Sequence, residues 1–420
     1  MGNKNKMQVD REISRSLSKM AWRRLRKNRI AMFGLIMIVI ASLISILGAL
    51  IRPDKTENAD IEIRNIATKK PGFNCNFLLW RKDTPADETA FYEMMFFGGR
   101  QENYVYLPIS GFEFVGTKIV IREYTGDSEE AKATAPESSY ELADVIYPLH
   151  ENARMTTDDK GNVIFYDIEN KRHVESIAAM QEHIKNHQMK RYTYWLGTDR
   201  NGRDMLSRLM AGTIVSLSVG LISVLISLLI GIFLGAIAGY YRGWVDDLIM
   251  WLINVVWSIP TLLLIIAITV ALGKGFTQVF LAVGLTMWVE VARLVRGQVL
   301  SVREKEYIEA GKALGFRSMR IIMKHVLPNV MGPVIVVSAA NFASAILIEA
   351  GMSFLGIGAQ APMPSWGSML ADHKDYFNGP MAYMALLPGL CTTILVLAFM
   401  LLGNGLRDAL DMRSIDDIKG

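Results

Sequence analysis

The chain has few of the side chains that build metal or disulfide centres. Its 420 residues include two cysteines and six histidines. Cys75 lies in a polar stretch and Cys391 in an apolar one, which excludes a disulfide scaffold and a cysteine-based zinc or iron–sulfur centre. The net charge of +4 is small and gives no reason to expect nucleic-acid binding.

The motifs of ATP-driven and hydrolytic enzymes are also missing. A phosphate-binding GxxxxGK[ST] loop needs a glycine five residues before the Gly-Lys pair, but Ile268 precedes Gly273 and Glu306 precedes Gly311 at that spacing. Neither a GxSxG elbow nor a protein-kinase motif set occurs in the sequence. We therefore expect no catalytic residue, no cofactor and no resident metal, and another polypeptide would have to hydrolyse any ATP that is used.

Apolar residues are abundant, at 51% of the chain, and the mean hydropathy is +0.24. A bilayer core of about 30 Å requires about 20 predominantly apolar residues in a helix. Six runs meet this length, and they predict an all-α polytopic membrane protein with six transmembrane helices. The runs are residues 30–51, 214–238, 248–272, 279–299, 330–350 and 383–403.

The distribution of cations predicts the orientation of these spans. Residues 1–29 contain ten Lys or Arg against Asp10 and Glu12, which should keep this leader in the cytoplasm. The first run is too long for a signal-peptide core, so we interpret it as a retained anchor. Six spans return the tail, 414–420, to the cytoplasm. The amphipathic leader is either a topology signal or a helix that lies on an anionic membrane surface.

Residues 52–195 separate the first two spans and carry most of the acidic residues. We expect them to form an inserted α+β domain outside the cytoplasm, with strands near 104–107 and 118–122 and a helix over 174–189. His183 and His187 stand four apart on that predicted helix. They fit either a shared metal ion or a solvated helix face, and the sequence indicates no third ligand.

The loop 300–329 between spans four and five contains a distinctive pattern. Glu309-Ala310-Gly311 is followed by Gly315 and then by Leu327-Pro328. The pattern predicts a helix that ends at a glycine in the left-handed conformation, followed by a second helix. Pro328 can begin the next span, where its missing N–H costs little.

This loop resembles the EAA loop of the membrane subunits of ABC importers, and His325 before Leu327-Pro328 is similar to the peptide and nickel branch. In that family the loop forms a coupling helix that docks on a cytoplasmic ATPase. The resemblance implies a set of ATPase-coupling residues: Arg303, Tyr307, Glu309, Ala310, Gly311, Leu314, Gly315 and Arg317.

Two flanking motifs resemble the C-type subunit of dipeptide and oligopeptide permeases. One precedes span two and the other surrounds the end of span five. The inserted domain departs from the compact family pattern. The motif residues are Gly197, Asp199, Gly202, Arg203 and Asp204 in the first, and Glu349, Ser353, Gly356, Trp366 and Gly367 in the second.

Two features inside the spans have open interpretations. Pro260, near the middle of span three, should kink the helix, either as a packing feature or as a gating hinge. Glu290 and Arg293 are three residues apart near the inner end of span four and can pair on one helix face. Such charges either line a pathway or interface or extend toward the cytoplasm.

The resemblance implies an ABC type I importer permease fold in a bacterial inner membrane. It also implies three kinds of protein partner: a homologous second permease, two ABC ATPase subunits and an extracytoplasmic substrate-binding protein. Peptide is the leading substrate, and nickel, glutathione and oligosaccharide are alternatives. Outside this family, a membrane receptor with an external sensor domain and a membrane-bound enzyme remain alternatives.

Overall fold

The computed structural model of the protein describes residues 19–83, 99–150, 153–159 and 161–410. These residues form two compact units. The helical unit comprises residues 19–45, 212–374 and 385–410, and the mixed unit comprises the described residues of 46–211 together with 375–384. Most of the predicted leader and the predicted tail, 414–420, lie outside the described residues.

Apolar runs form long helices, as the sequence predicts. Among the described residues, five helices are long and apolar enough to cross a membrane, and the total rises to six if one bent pair counts as a span. The long helices are α1 (Arg29–Ile51), α5 (Met205–Tyr241), α6 (Gly243–Trp257), α7 (Thr261–Leu272), α8 (Phe276–Arg303), α11 (Leu327–Phe354) and α13 (Tyr383–Leu410).

The third predicted span, 248–272, is not one kinked helix. Helix α6 ends at Trp257, α7 begins at Thr261, and the two helices are bent by 90°. Pro260 has no N–H to continue the helical ladder, and its ring disfavours helical geometry at Ile259. A full break therefore replaces the expected kink.

A row of glycines brings α5 close to α8. A Cβ on Gly235 would lie 2.4 Å from the Ala292 carbonyl oxygen, and a Cβ on Gly239 would lie 2.8 Å from the Arg296 carbonyl oxygen. Gly231 faces Val291 in the same way. Small residues every fourth position let two helix backbones approach closely, so this row is a packing surface.

Short helices complete the helical unit. Ser365 caps the N-terminus of α12 (Trp366–His373), because its hydroxyl accepts a hydrogen bond from the Ser368 N–H and the Ser368 hydroxyl accepts one from the Ser365 N–H. A single π-helical turn, Ile322–Val326, joins α10 to α11. The short helices are α9 (Glu306–Ala313), α10 (Ser318–Ile321) and α12 (Trp366–His373).

The mixed unit contains two antiparallel sheets. The first has the strand order β4-β3-β2-β1-β8 and the second β5-β6-β7. The strands are β1 (Phe73–Arg81), β2 (Tyr104–Val115), β3 (Lys118–Glu123), β4 (Glu137–Glu141), β5 (Thr156–Thr157), β6 (Asn162–Tyr166), β7 (Arg172–Ser176) and β8 (Met189–Tyr194). Three short helices accompany them: α2 (Glu129–Ala133), α3 (Leu142–Ile146) and α4 (Ile177–His183).

Strand β1 is buried on both faces. Phe77 and Leu79 pack in a core with Ile66, whereas Leu78 packs in a second core with Phe165 and other apolar residues. Successive side chains of a strand point to opposite faces, so apolar residues are required at consecutive positions from Phe77 to Leu79. The predicted strands at 104–107 and 118–122 lie in β2 and β3.

The helix predicted over 174–189 begins later than expected. Val174 pairs with Ile164 in the second sheet, and the Ser176 hydroxyl caps the N-terminus of α4. A π-helical turn, Ile184–Gln188, continues α4 and is followed directly by β8. The first three residues of the predicted helix are therefore strand because they are paired across the sheet.

Candidate functional site

Helix α9 has one face anchored in the helical unit. Ile308, 1% exposed, packs in a core with Ile321, Ile322 and Val326, and Gly311 is also buried. The face of α9 that contains Ile308 and Gly311 therefore packs against the helical unit. The remaining side chains of α9 form a defined outward surface.

The outward surface of α9, together with the residue that follows the helix, carries part of the predicted coupling set. Glu309 and Ala310 are exposed, the Tyr307 ring is half-exposed, and Leu314 has 73% of its surface exposed. Leu314 follows the last residue of α9 and lies before Gly315. An exposed leucine and an exposed carboxylate within one short segment offer an apolar and an electrostatic contact.

Gly315 ends this helical segment in the left-handed conformation, with φ of +73°. Its N–H donates to the Lys312 carbonyl at 2.9 Å, and the Phe316 N–H donates to the Gly311 carbonyl at 3.1 Å. These bonds satisfy carbonyls that a helix end leaves open. The expected helix, glycine break and second helix are present, with Pro328 at the N-terminal end of α11.

Cations and aromatic rings surround the base of the α9 loop. The Arg303 guanidinium lies 5.9 Å and the Lys312 amine 5.7 Å from the ring centroid of Tyr240. The His325 ring is stacked on Phe316. These contacts orient the base of the loop, whereas Arg317, at the N-cap of α10, is exposed.

The first flanking motif lies in the mixed unit and is largely buried. The Asp199 carboxylate accepts hydrogen bonds from the backbone N–H groups of Asn201 and Arg203, and Arg203 Nε donates to Asp199 Oδ2 at 2.6 Å. Asp204 Oδ2 accepts from the Ser207 N–H at 2.8 Å. The carboxylates therefore shape the turn that leads into α5.

Glycines of this motif permit close backbone approach. Both Gly197 and Gly202 have positive φ, and a Cβ on Gly202 would overlap the Ile63 carbonyl. The Thr198 hydroxyl accepts from the Lys69 N–H at 2.8 Å. The motif thus holds the segment that follows α1, which is a structural role.

A small cavity of about 30 Å³ lies beside this motif. Asp54, Asp204 and the rings of Tyr106, Tyr192 and Tyr194 contribute to its lining. Burial raises the pKa of Asp204 above its usual value. The volume is sufficient for one water molecule and too small for a peptide.

The second flanking motif forms a polar cluster inside the helical unit. Glu349 is 1% exposed, and its carboxylate accepts hydrogen bonds from Ser353 Oγ at 2.7 Å and Ser216 Oγ at 3.3 Å. The Ser353 hydroxyl in turn accepts from the Ala359 N–H. We call Glu349, Ser353 and Ser216 the Glu349 cluster. Its hydrogen bonds join α5 to α11.

The other residues of this motif pack around the same helices. Trp366 is buried against Gly212, and Gly367 lies so close to Ala350 that a Cβ would overlap the Ala350 carbonyl. Gly356 has a φ of +73° and follows the end of α11. The structure therefore assembles the second motif around one buried carboxylate.

Arg293 does not pair with Glu290 as the spacing suggests. Its Nη2 donates to Asn254 Oδ1 at 3.1 Å, and its guanidinium lies 3.4 Å from the ring centroid of Trp257. Both partners belong to α6. Arg293 therefore connects α8 to the helix that ends just before Pro260.

Sequence reasoning missed several partners of these residues. Arg296 makes a bidentate ion pair with Asp246 on α6, with N–O distances of 2.6 and 2.7 Å. Ser216, the α5 partner of Glu349, was also not anticipated. The partners are 50 and 133 residues away in the chain, so no local spacing marks them.

His183 and His187 stack on each other, with ring centroids 4.5 Å apart. Both rings are exposed, and His187 Nδ1 lies 3.3 Å from the His183 carbonyl oxygen. Among the residues that the structure describes, no group of three or more His, Cys, Asp or Glu side chains could hold a metal ion.

Burial raises the pKa of the Cys75 thiol to about 11.

Two family models match this chain. The model described as the binding-protein-dependent transport system inner membrane component matches residues 231–415, and the N-terminal TM domain of oligopeptide transport permease C matches residues 16–71. Neither match covers residues 72–230, which include most of the mixed unit.

Curated relatives match about half of the chain. The dipeptide transport system permease protein DppC of Alkalihalophilus pseudofirmus is 43% identical over 218 residues, which are 52% of this chain and 71% of the relative. The glutathione transport system permease protein GsiD of Pectobacterium atrosepticum is 42% identical over 219 residues, 52% of this chain and 72% of the relative.

Among solved structures, an inward-facing MetNI methionine ABC transporter chain is 19% identical, with a TM-score of 0.42 over 49% of this chain and 98% of that chain.

The long apolar helices, the α9 loop and the sequence relatives define a multi-pass membrane permease subunit of an ABC importer. The chain belongs to the family of binding-protein-dependent transport system inner membrane components, as a C-type permease of its peptide and nickel branch.

Proposed function

We propose that this permease subunit forms half of an import pathway for short peptides and is driven by separate ATPase subunits. Relatives named for dipeptide and for glutathione transport support this substrate class. Dipeptides and glutathione share peptide-type bonds together with a free ammonium group and free carboxylates. A pathway suited to both would recognise this common chemistry.

The outward surface of α9 is the observation that carries the ATPase-docking role. Leu314 is 73% exposed, and Met319 and Met323 are also largely exposed nearby in sequence. Exposed apolar side chains outside a bilayer indicate an interaction surface. Glu309 adds a charge that a cation on the ATPase can pair with, and together they favour docking through Tyr307, Glu309, Ala310 and Leu314.

The proposed orientation follows from the cations of the leader and of the α9 loop. Both would lie in the cytoplasm, where the ATPases are. Residues 52–195 would then lie outside the cytoplasm, on the side from which a substrate-binding protein delivers peptide. A second, homologous permease subunit would complete the pathway.

A docking variant and a matched control test this proposal. We expect Leu314→Asp to abolish co-purification of the ATPases and peptide uptake, because it places a charge in an apolar contact. Val174→Asp introduces the same change at an exposed position of β7 and should leave both intact. Normal ATPase association of Leu314→Asp would refute docking at this surface.

The orientation has a separate test. Protease added outside sealed cells should cut within residues 52–195 and spare the α9 loop. Cleavage of residues 52–195 from the cytoplasmic side alone would overturn the orientation.

Uptake of labelled dipeptide, glutathione and nickel by the same complex would identify the substrate class.

A further inference from the structure

Glu290 lies at the middle of a membrane-spanning helix and is exposed. Helix α8 has 28 residues, and Glu290 is about 21 Å along its axis from Phe276 and about 20 Å from Arg303. Neither end of α8 is within reach of its side chain. A carboxylate at such a depth is costly in contact with lipid and normally faces protein or water.

Arg293 lies one helical turn from Glu290 and at the depth of the broken helix pair. Its guanidinium covers the Trp257 ring, and one nitrogen, Nη2, donates to Asn254. The Nε atom has no hydrogen-bond partner among the residues that the structure describes. Arg293 is therefore oriented by α6, and its guanidinium is only partly hydrogen bonded within the described residues.

The backbone is irregular at the same depth. Residues 257–263 are all exposed, and they include the non-helical turn between α6 and α7. The first N–H groups of α7 have no partner within the helix. Non-helical backbone at membrane depth is tolerated only where protein covers it or where it lines a water-filled cavity.

We propose that Glu290, Arg293 and the turn Ser258–Pro260 line the translocation pathway and bind the two charged ends of a short peptide. This inference rests on the proposed peptide import. Glu290 pairs with the terminal ammonium group, and Arg293 pairs with a carboxylate through a charge-assisted hydrogen bond.

The two side chains leave α8 close enough together to contact both ends of a short peptide. Side chains three apart on a helix have Cβ atoms about 5–6 Å apart, and an extended dipeptide spans about 7 Å. The exposed Trp257 ring beside Arg293 offers an apolar surface without a shaped pocket. Contacts to the ends of the peptide, rather than to its side chains, would let one pathway accept different sequences.

Thiol accessibility tests whether Ser258 and Glu290 are exposed to water in the assembled complex. Ser258→Cys and Glu290→Cys would be made in a Cys75→Ser, Cys391→Ser background, in membranes that contain the assembled complex. Leu229→Cys is the control, since Leu229 is exposed within the apolar stretch of α5. A charged, membrane-impermeant thiol reagent should modify both test positions at least about tenfold faster than the control. Equal rates would overturn the proposal, because lipid or the second permease would then cover this face.

Transport by the reconstituted complex tests peptide binding. With saturating substrate-binding protein, Glu290→Gln and Arg293→Gln should each raise the ATP hydrolysed per labelled dipeptide imported by at least about tenfold. Asp247→Asn, which removes an exposed carboxylate near the start of α6, should leave this ratio unchanged. Unchanged ratios in both test variants would overturn the binding role.

Different experimental results would refute peptide import and the binding of peptide ends by Glu290 and Arg293. Absence of peptide uptake by the wild-type complex would refute the proposed function and the peptide-binding inference with it. Wild-type peptide uptake with no effect of Glu290→Gln or Arg293→Gln would refute this inference alone.

Discussion

The α9 loop and the Glu349 cluster both carry family motifs, yet they treat their carboxylates in opposite ways. Glu309 is exposed, as is Leu314 five residues later, whereas Glu349 is buried and hydrogen bonded to Ser353 and Ser216. The chain's own fold satisfies the buried group and leaves the exposed one available to a partner. A family motif residue is therefore a candidate for docking when its side chain stays exposed in the folded chain, as Glu309 does and Glu349 does not.

The largest expected effect is on the α9 loop. Glu309→Lys should lower peptide uptake by about 100-fold, because truncating or reversing one partner of an interfacial charge pair costs about 2–5 kcal/mol. ATPase co-purification and uptake measure the effect. Glu182→Lys makes the same charge change at an exposed position of α4 and should have no effect. Full uptake by Glu309→Lys would show that the exposed Glu309 has no docking role and would contradict its contrast with the buried Glu349.

The Glu349 cluster should respond through stability. Glu349→Ala leaves two buried hydroxyl groups without their acceptor and should destabilise the helical unit by about 1–3 kcal/mol. Thermal unfolding of the full chain in detergent should show a lower melting temperature, and Glu309→Lys should show none of this loss. A Glu349→Ala protein that melts normally but fails to bind ATPase would contradict the structural role.

A smaller effect should follow from the conformation of Gly315. Gly315→Ala forces a side chain into the left-handed region at a cost of about 1–2 kcal/mol, which should weaken ATPase association by about five- to thirtyfold. Gly351→Ala is the control, because Gly351 is helical and has open space around its Cβ position. Equal affinity for the two variants would show that the turn is not held in this geometry during docking.

The smallest expected effect concerns acid sensitivity in the mixed unit. His173 Nε2 lies 2.8 Å from Asp167 Oδ2, and this contact holds the pKa of Asp167 below its usual value. A lowered carboxyl pKa contributes stability that is present above about pH 4 and is lost as the pH falls through the lowered value.

Hydrogen exchange of full-length protein, followed in the segments of β6 and β7, measures this effect. Wild type should be better protected than His173→Phe near neutral pH, and the difference should shrink as the pH falls below about 4. A difference that grows on acidification would reverse the assigned sign.

Local sequence predicts much of the helical unit. Apolar run length predicts the spans because it must match the bilayer, and Gly315 predicts a helix end because only glycine adopts positive φ without strain. The break at Pro260 was expected only as a kink. Its size depends on how α6 and α7 pack, so the loss of one hydrogen bond does not determine the 90° angle.

Run length, periodicity and the backbone preferences of neighbouring residues predict the long helices other than the broken pair α6–α7, and they predict the helix end at Gly315 in the α9 loop. The contacts of Arg293 with Asn254 and Trp257, and of Glu349 with Ser216 on α5, follow from the packing of the helices and not from local sequence. Such partners are chosen by helix packing across many residues of chain, and their side chains carry no local signal of the pairing.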